Sequence, residues 1–189
     1  MIDQCLFPQC VHDTLSFLQS FDFEEMSSDS HLVLFRNKHD VRIEVHHEQY
    51  TYALDYFFVP PLSADGYSRA NLVGAVLGRT VRTWTATTEE SIVHGLKLFA
   101  TELRELLNAI DEFSAESVFD KTRRHIADRE KQSAELFHLN ECLDAASQCW
   151  SRGDWQGVCN ILMPIHTKLT ALHLARLDYA SKRVSSQNH

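Results

Sequence analysis

Six glycines and four prolines among 189 residues are too few for flexible linkers or a low-complexity tail, so the chain is expected to be ordered nearly throughout. Long apolar runs are missing as well. A stretch such as Tyr56 to Leu62 falls far short of the ~20 residues that a membrane-crossing helix needs, and no membrane association is expected. The opening residues Met1-Ile2-Asp3-Gln4-Cys5 contain no basic group leading into an apolar segment, which points away from a secretory signal and towards the cytoplasm. The five cysteines (Cys5, Cys10, Cys142, Cys149 and Cys159) are odd in number and form no C-x-x-C pair, so they read as reduced packing thiols and not as bridges or metal ligands. No cofactor is expected.

With 44% hydrophobic and 23% charged residues, the chain can bury one sizeable core with a helical appendage. Net charge is −8, and its distribution is uneven. Residues 1–30 hold six acids, Asp3, Asp13, Asp22, Glu24, Glu25 and Asp29, and no Lys or Arg. Residues 142–189 hold three acids against the five bases Arg152, Lys168, Arg176, Lys182 and Arg183. Clustered carboxylates repel a phosphate backbone and attract a basic protein, so nucleic acid is disfavoured as a partner. A solvated surface that serves only solubility accounts for the same pattern.

The pattern along the chain predicts an α+β fold. Cys10, Val11, Thr14, Leu15 and Leu18 recur at helical spacing after Pro8. Four segments rich in β-branched and aromatic residues come next, at 21–26, 31–36, 41–47 and 51–59. In the third, Val41, Ile43 and Val45 alternate with Arg42, Glu44 and His46, the period of a strand with one wet face. Short polar breaks between the segments predict an antiparallel meander of about four strands. In the last of them, Tyr50, Tyr52, Leu54, Tyr56 and Phe58 are expected to face the core, leaving Asp55 and Phe57 outward. Pro60-Pro61 ends that strand, 63–68 reads as loop, 69–77 as a short helix closed by Gly78, and 80–85 as a fifth strand or linker. Thr87 and Glu90 predict a capping box for a long helix whose seam is Ile92, Leu96, Phe99, Leu103, Leu106, Ile110 and Phe113. Ser114 reads as the cap of the next helix, with Phe113 and Val118 as its hydrophobic staple.

The body is therefore expected over 1–113, with a helical extension over 114–184 and a frayed tail over 185–189. The extension is largely charged through 121–135. An apolar stripe then returns at Leu139, Cys142, Leu143 and Ala146, and Gly153-Asp154 makes a break. Pro164 splits or kinks the helical run from Trp155 to Leu172.

Catalytic signatures are weak. Gly74 and Gly78-Arg79-Thr80 miss the phosphate-loop pattern by one residue and lack its Lys. Glu135-Leu136-Phe137-His138 is a single Glu-x-x-His step where a dinuclear site needs two. His46 and His47 are adjacent, so they point to opposite faces of a strand. An enzyme or small-molecule site in a cleft between sheet and helices would draw on His46, Asp55 or His138.

Residues 11–113, with Leu32-Val33-Leu34-Phe35-Arg36, Val41-Arg42-Ile43-Glu44-Val45 and the closing helix from Leu96, are similar in pattern and order to small acidic bacterial proteins of unknown function, some of them thought to be immunity proteins of toxin systems. Ala145-Ala146 to Trp150, Gly153-Asp154-Trp155 and Val158 to Ile165 resemble one tetratricopeptide-type helical hairpin, with Pro164 departing from the pattern. The first resemblance implies a non-enzymatic module that uses an acidic surface against a basic protein. The residues expected to carry it are Asp22, Glu24, Glu25 and Asp29, with Asp55 and Phe57 as an outward patch. A homodimer or adaptor formed through the C-terminal helices is the remaining alternative.

Overall fold

A computed structural model describes residues 6–113 and 115–187 of an α+β chain. By contact it divides into two compact units, one ending at Ile126 and the other starting at Ala127.

In the first unit, helix α1 (Leu6–Leu15) buries Phe7, Cys10, Val11 and Leu15, with Pro8 in its first turn, where a backbone donor is not needed. A 3-10 turn over Ser16–Phe21 comes next and ends at Asp22, whose φ is 61°. Strands β1 (Phe23–Ser28), β2 (Leu32–Asn37), β3 (Arg42–His47) and β4 (Ala53–Val59) form the predicted antiparallel meander in that spatial order. Two short strands then extend the sheet beyond β4. β5 (Tyr67–Ser68) pairs with Phe57–Phe58, in a stretch that reads as loop from the sequence, and β6 (Trp84–Thr85) pairs with Ala53–Leu54. Strands of two residues are too short to show any alternation. The hairpin turns are held by short polar side chains that imitate backbone. Asp29 Oδ1 accepts from the amides of His31 and Leu32, and Asn37 Oδ1 accepts from those of His39 and Val41.

One face of the sheet is dry, formed by Val33, Phe35, Ile43, Val45, Leu54, Tyr56 and Phe58. Tyr50 and Tyr52, expected on that face, are not there: Tyr50 is 90% exposed and Tyr52 43%. Strand β4 begins only at Ala53, and Tyr52 has φ 55°, so the residues before it belong to a turn and the alternation does not reach them.

Helix α2 (Arg69–Leu72) runs into a π-turn over Val73–Leu77, closed by Gly78 at φ 65°. Helix α3 (Glu89–Phe113) lays the predicted seam on the sheet: Ile92, Leu96, Phe99, Leu103 and Leu106 are fully buried, and Phe99 meets Tyr56 at 5.3 Å. Its cap is one residue later than expected. Thr88 Oγ1 accepts from the Ser91 amide while Ser91 Oγ accepts from the Thr88 amide, so Thr88 and Ser91, not Thr87 and Glu90, make the reciprocal pair. Ser114 and the Phe113 side chain lie outside the described residues, so the staple expected there does too. Helix α4 (Ala115–Ser151) begins in this unit and adds Val118, Phe119 and the buried Thr122 to its core.

Among the described residues, the Tyr56 hydroxyl is buried without a hydrogen-bond partner. Such a group loses its water and gains nothing in return. Tyr56→Phe is therefore expected to stabilise the chain by roughly 1 kcal/mol in urea unfolding, the ring contacts with Phe58 and Phe99 being retained.

In the second unit, α4 is solvent-exposed from 127 to 138, as its charge pattern predicts, and then packs with α5 (Trp155–Leu162) and α6 (Ala171–Gln187) around Ala146, Val158, Leu162, Leu177 and Ala180. Gly153, at φ 72°, makes the tight turn, and Asp154 caps α5 by accepting from the Gly157 amide. Pro164 sits in a 3-10 turn over Met163–Lys168 that separates α5 from α6. Residues 185–187 continue α6 where the sequence predicts fraying. Among the described residues, no helix is long and apolar enough to cross a membrane.

Candidate partner-binding surface

Antiparallel register decides which predicted residues stand together, because directly paired residues point to the same side of a sheet. Glu24 pairs with Arg36, Arg36 with Arg42, and Arg42 with Val59. Counting back along β4 by twos from Val59 reaches Phe57 and Asp55. Glu24, Phe57 and Asp55 therefore share the side opposite the dry face.

Two rows across that side carry its character. Leu34, Glu44 and Phe57 form one, and Leu32, His46 and Asp55 form the other, all of them half-buried. His46 sets its ring edge-to-face on Phe57 at 5.2 Å and reaches Glu44 Oε2 at 3.3 Å. His47 points the other way, is buried and bonds the Ala86 carbonyl, as expected for adjacent strand residues. Leu32 and Leu34 are not legible as surface residues in the sequence. The run Leu32-Val33-Leu34-Phe35 is apolar at every position, so nothing in it marks which alternate set faces out.

The remaining acids divide by role. Asp22 forms an ion pair with Lys38 at 2.5 Å, and that bond holds its carboxyl below the ordinary range. Glu25 pairs with the buried Phe35 and so belongs to the core side, but β1 is the edge of the sheet and leaves Glu25 beside His12 at 3.6 Å. Asp29 is consumed by its turn. Strand β1 pairs only with β2 among the described residues, and past Phe23 every residue in it is exposed. It therefore presents a free row of backbone donors and acceptors. The register slip between Glu25 and Ser27 is a bulge that turns Met26 into solvent.

Asp55 is a perturbed carboxyl on this side. Burial raises its pKa, and the Tyr56 amide that it accepts, together with the charges of Arg69 and His46, offsets this only in part. A carboxyl whose pKa is raised on folding binds its proton more tightly in the native state, so stability falls as pH climbs from the ordinary Asp pKa of about 3.9 through the raised value. Asn keeps an oxygen for the Tyr56 amide. Asp55→Asn is thus expected to raise the thermal midpoint at neutral pH and to lose that advantage in acid, which a pair of melting curves across pH would show.

The remaining candidate for chemistry, His138, belongs to the second unit and lies on the exposed stretch of α4 with Cys142 Sγ 3.7 Å from its Nε2. Among the described residues, no group of three or more His, Cys, Asp or Glu is placed to hold a metal ion. The chain matches no protein-family model, no curated protein and no solved structure.

Proposed function

We propose that this chain is a non-enzymatic protein-binding module of the immunity or inhibitor type, acting in the cytoplasm on a basic partner. The observation that carries this reading is the shared side of Glu24, Asp55 and Phe57, where half-buried Leu32, Leu34 and Phe57 are framed by charged residues. An apolar centre with a polar rim is the arrangement of a recognition surface. Asp55 adds to it, since a carboxylate desolvated on an outward face costs stability that a plain solvated sheet would not give up. Asp22, Glu24 and Glu25 lie at the start of the edge strand, where they would accelerate the approach of Lys and Arg.

Isolation of the tagged chain with its bound proteins from the native cell, at two ionic strengths, tests the reading. A basic protein should be recovered with the wild type, less of it at high salt. It should be lost with Glu24→Lys/Phe57→Lys, provided that circular dichroism shows this variant folded. Recovery unaffected by the two substitutions would retire the proposal.

A further inference from the structure

A cavity of about 900 Å³ opens at the end of the sheet, where the 37–41 turn, the loop from Pro60 to Ser63, the last turns of α3 and the first of α4 meet. Its walls include Phe21, Phe23, Val41, Leu107, Ile110 and Phe119. Phe23, Val41, Leu107 and Phe119 are at the same time members of the buried core, so the floor is firm and apolar. The charged groups in the lining balance: Asp22 and Glu116 stand against Lys38 and Arg123, with His39 beside them. Lys38 is already bonded to Asp22, and Arg123 to Asp120. Neither sign of small ion is favoured, and the space suits a bulky apolar group.

Asp22, Phe23, Asn37 and Lys38 also line a second groove, of about 860 Å³, that runs beside the edge strand β1. That groove carries the four carboxylates of Asp22, Glu24, Glu25 and Asp40 against the two cations Arg36 and Lys38, which pair with Asp40 and Asp22 and so leave the excess charge on Glu24 and Glu25. The cavity thus adjoins a predominantly acidic groove beside β1, which pairs only with β2 among the described residues. On the loop at the other side of the cavity, Leu62 is 100% exposed and has φ 60°. The left-handed conformation belongs to the Pro60–Ser63 turn, in which the Ser63 amide donates to the Pro60 carbonyl at 3.2 Å.

Resting on the protein-binding reading, we infer that the cavity and the β1 groove form one anchoring site for an extended basic segment of the partner. The segment lies along the β1 edge as an added strand, sets its Lys or Arg side chains on the carboxylates and inserts one large apolar side chain into the cavity.

The probe is an acetylated, amidated pentapeptide with one phenylalanine between two lysines on each side, titrated into the isotope-labelled full chain and followed by two-dimensional NMR. Shifts are expected along β1, in the 37–41 turn and around Leu107 and Ile110. Alanine in place of the phenylalanine should weaken binding at least about tenfold, and glutamates in place of the lysines should abolish it. Ala115→Trp, at a half-exposed position in the cavity lining, should bring the phenylalanine peptide down to the affinity of the alanine peptide while leaving the latter unchanged. If that variant does not fold, the peptide exchange still decides. Equal affinity of the phenylalanine and alanine peptides, or shifts that map elsewhere, overturns the inference. Peptide failure with partner recovery still dependent on Glu24 and Phe57 removes this anchoring site alone, whereas recovery indifferent to those two residues removes the reading beneath it.

Discussion

Arg69→Met is expected to cost about 3–5 kcal/mol in denaturant unfolding, far more than the loss of an exposed charge would. The guanidinium is buried, with 8% of its side chain exposed against 16% for Glu102. Nε and Nη2 donate to the two Glu102 oxygens at 2.5 and 2.9 Å, and Nη1 donates to the Arg82 carbonyl at 2.9 Å. The group also lies over the Phe99 ring, 4.6 Å from its centre. Removing the cation leaves the Glu102 carboxylate largely out of water with no counter-charge, and that stranded charge makes the single change severe. Arg69→Met/Glu102→Leu removes both charges together and should recover most of the loss. If the double variant is no more stable than the single one, the weight lies on the Arg82 carbonyl and the Phe99 ring instead. The charge of Arg69 also lowers the pKa of Asp55, so the single variant should push the Asp55 carboxyl higher still.

Nothing in the sequence announces this pair. Arg69 and Glu102 are 33 positions apart, and each sits in a pattern that reads as an ordinary charged residue on a helix. What was legible depended on period. The alternation of Val41 to His47 and the seam from Ile92 to Ile110 each span several repeats, and both appear in the structure where the residues place them. Strands β5 and β6 have no period to read, and the cap at Thr88 competes with an equally good Thr one position earlier. The candidate site was legible in part for the same reason. Asp55 and Phe57 interrupt an otherwise core-like strand, so their outward side could be inferred, while the acids could be located but not assigned roles. Asp22 as the partner of Lys38 depends on which residues the hairpin brings back, whereas Asp29 accepts from amides only two and three residues on, in a turn that any of the neighbouring serines could also have held. The cavity depends on several distant segments meeting, which no local pattern encodes.

Gly95→Ala pits two effects of opposite sign against each other. In an isolated helix the change gains up to about 1 kcal/mol, because glycine gives up more backbone freedom than alanine. Here a β-carbon would stand 2.5 Å from Trp84 Nε1 and 2.8 Å from Leu54 Cδ2. Neither neighbour yields without losing contacts. Trp84 Nε1 donates to the Ser91 carbonyl at 2.9 Å while its ring stacks on His94 at 5.1 Å, and Leu54 is fully buried and paired with Trp84 across β4 and β6. Displacing the indole breaks that bond and loosens the pairing, so overpacking should win by about 2–3 kcal/mol net, read from urea curves monitored by tryptophan fluorescence. A variant as stable as the wild type would mean that α3 and β6 slide apart at small cost. The consequence reaches the proposed surface, because β6 holds the start of β4 at Ala53 and Leu54, immediately before Asp55 and Phe57. A folded Gly95→Ala chain should therefore bind its partner more weakly although the substitution is buried, since the strand that presents both residues has lost its support along one edge.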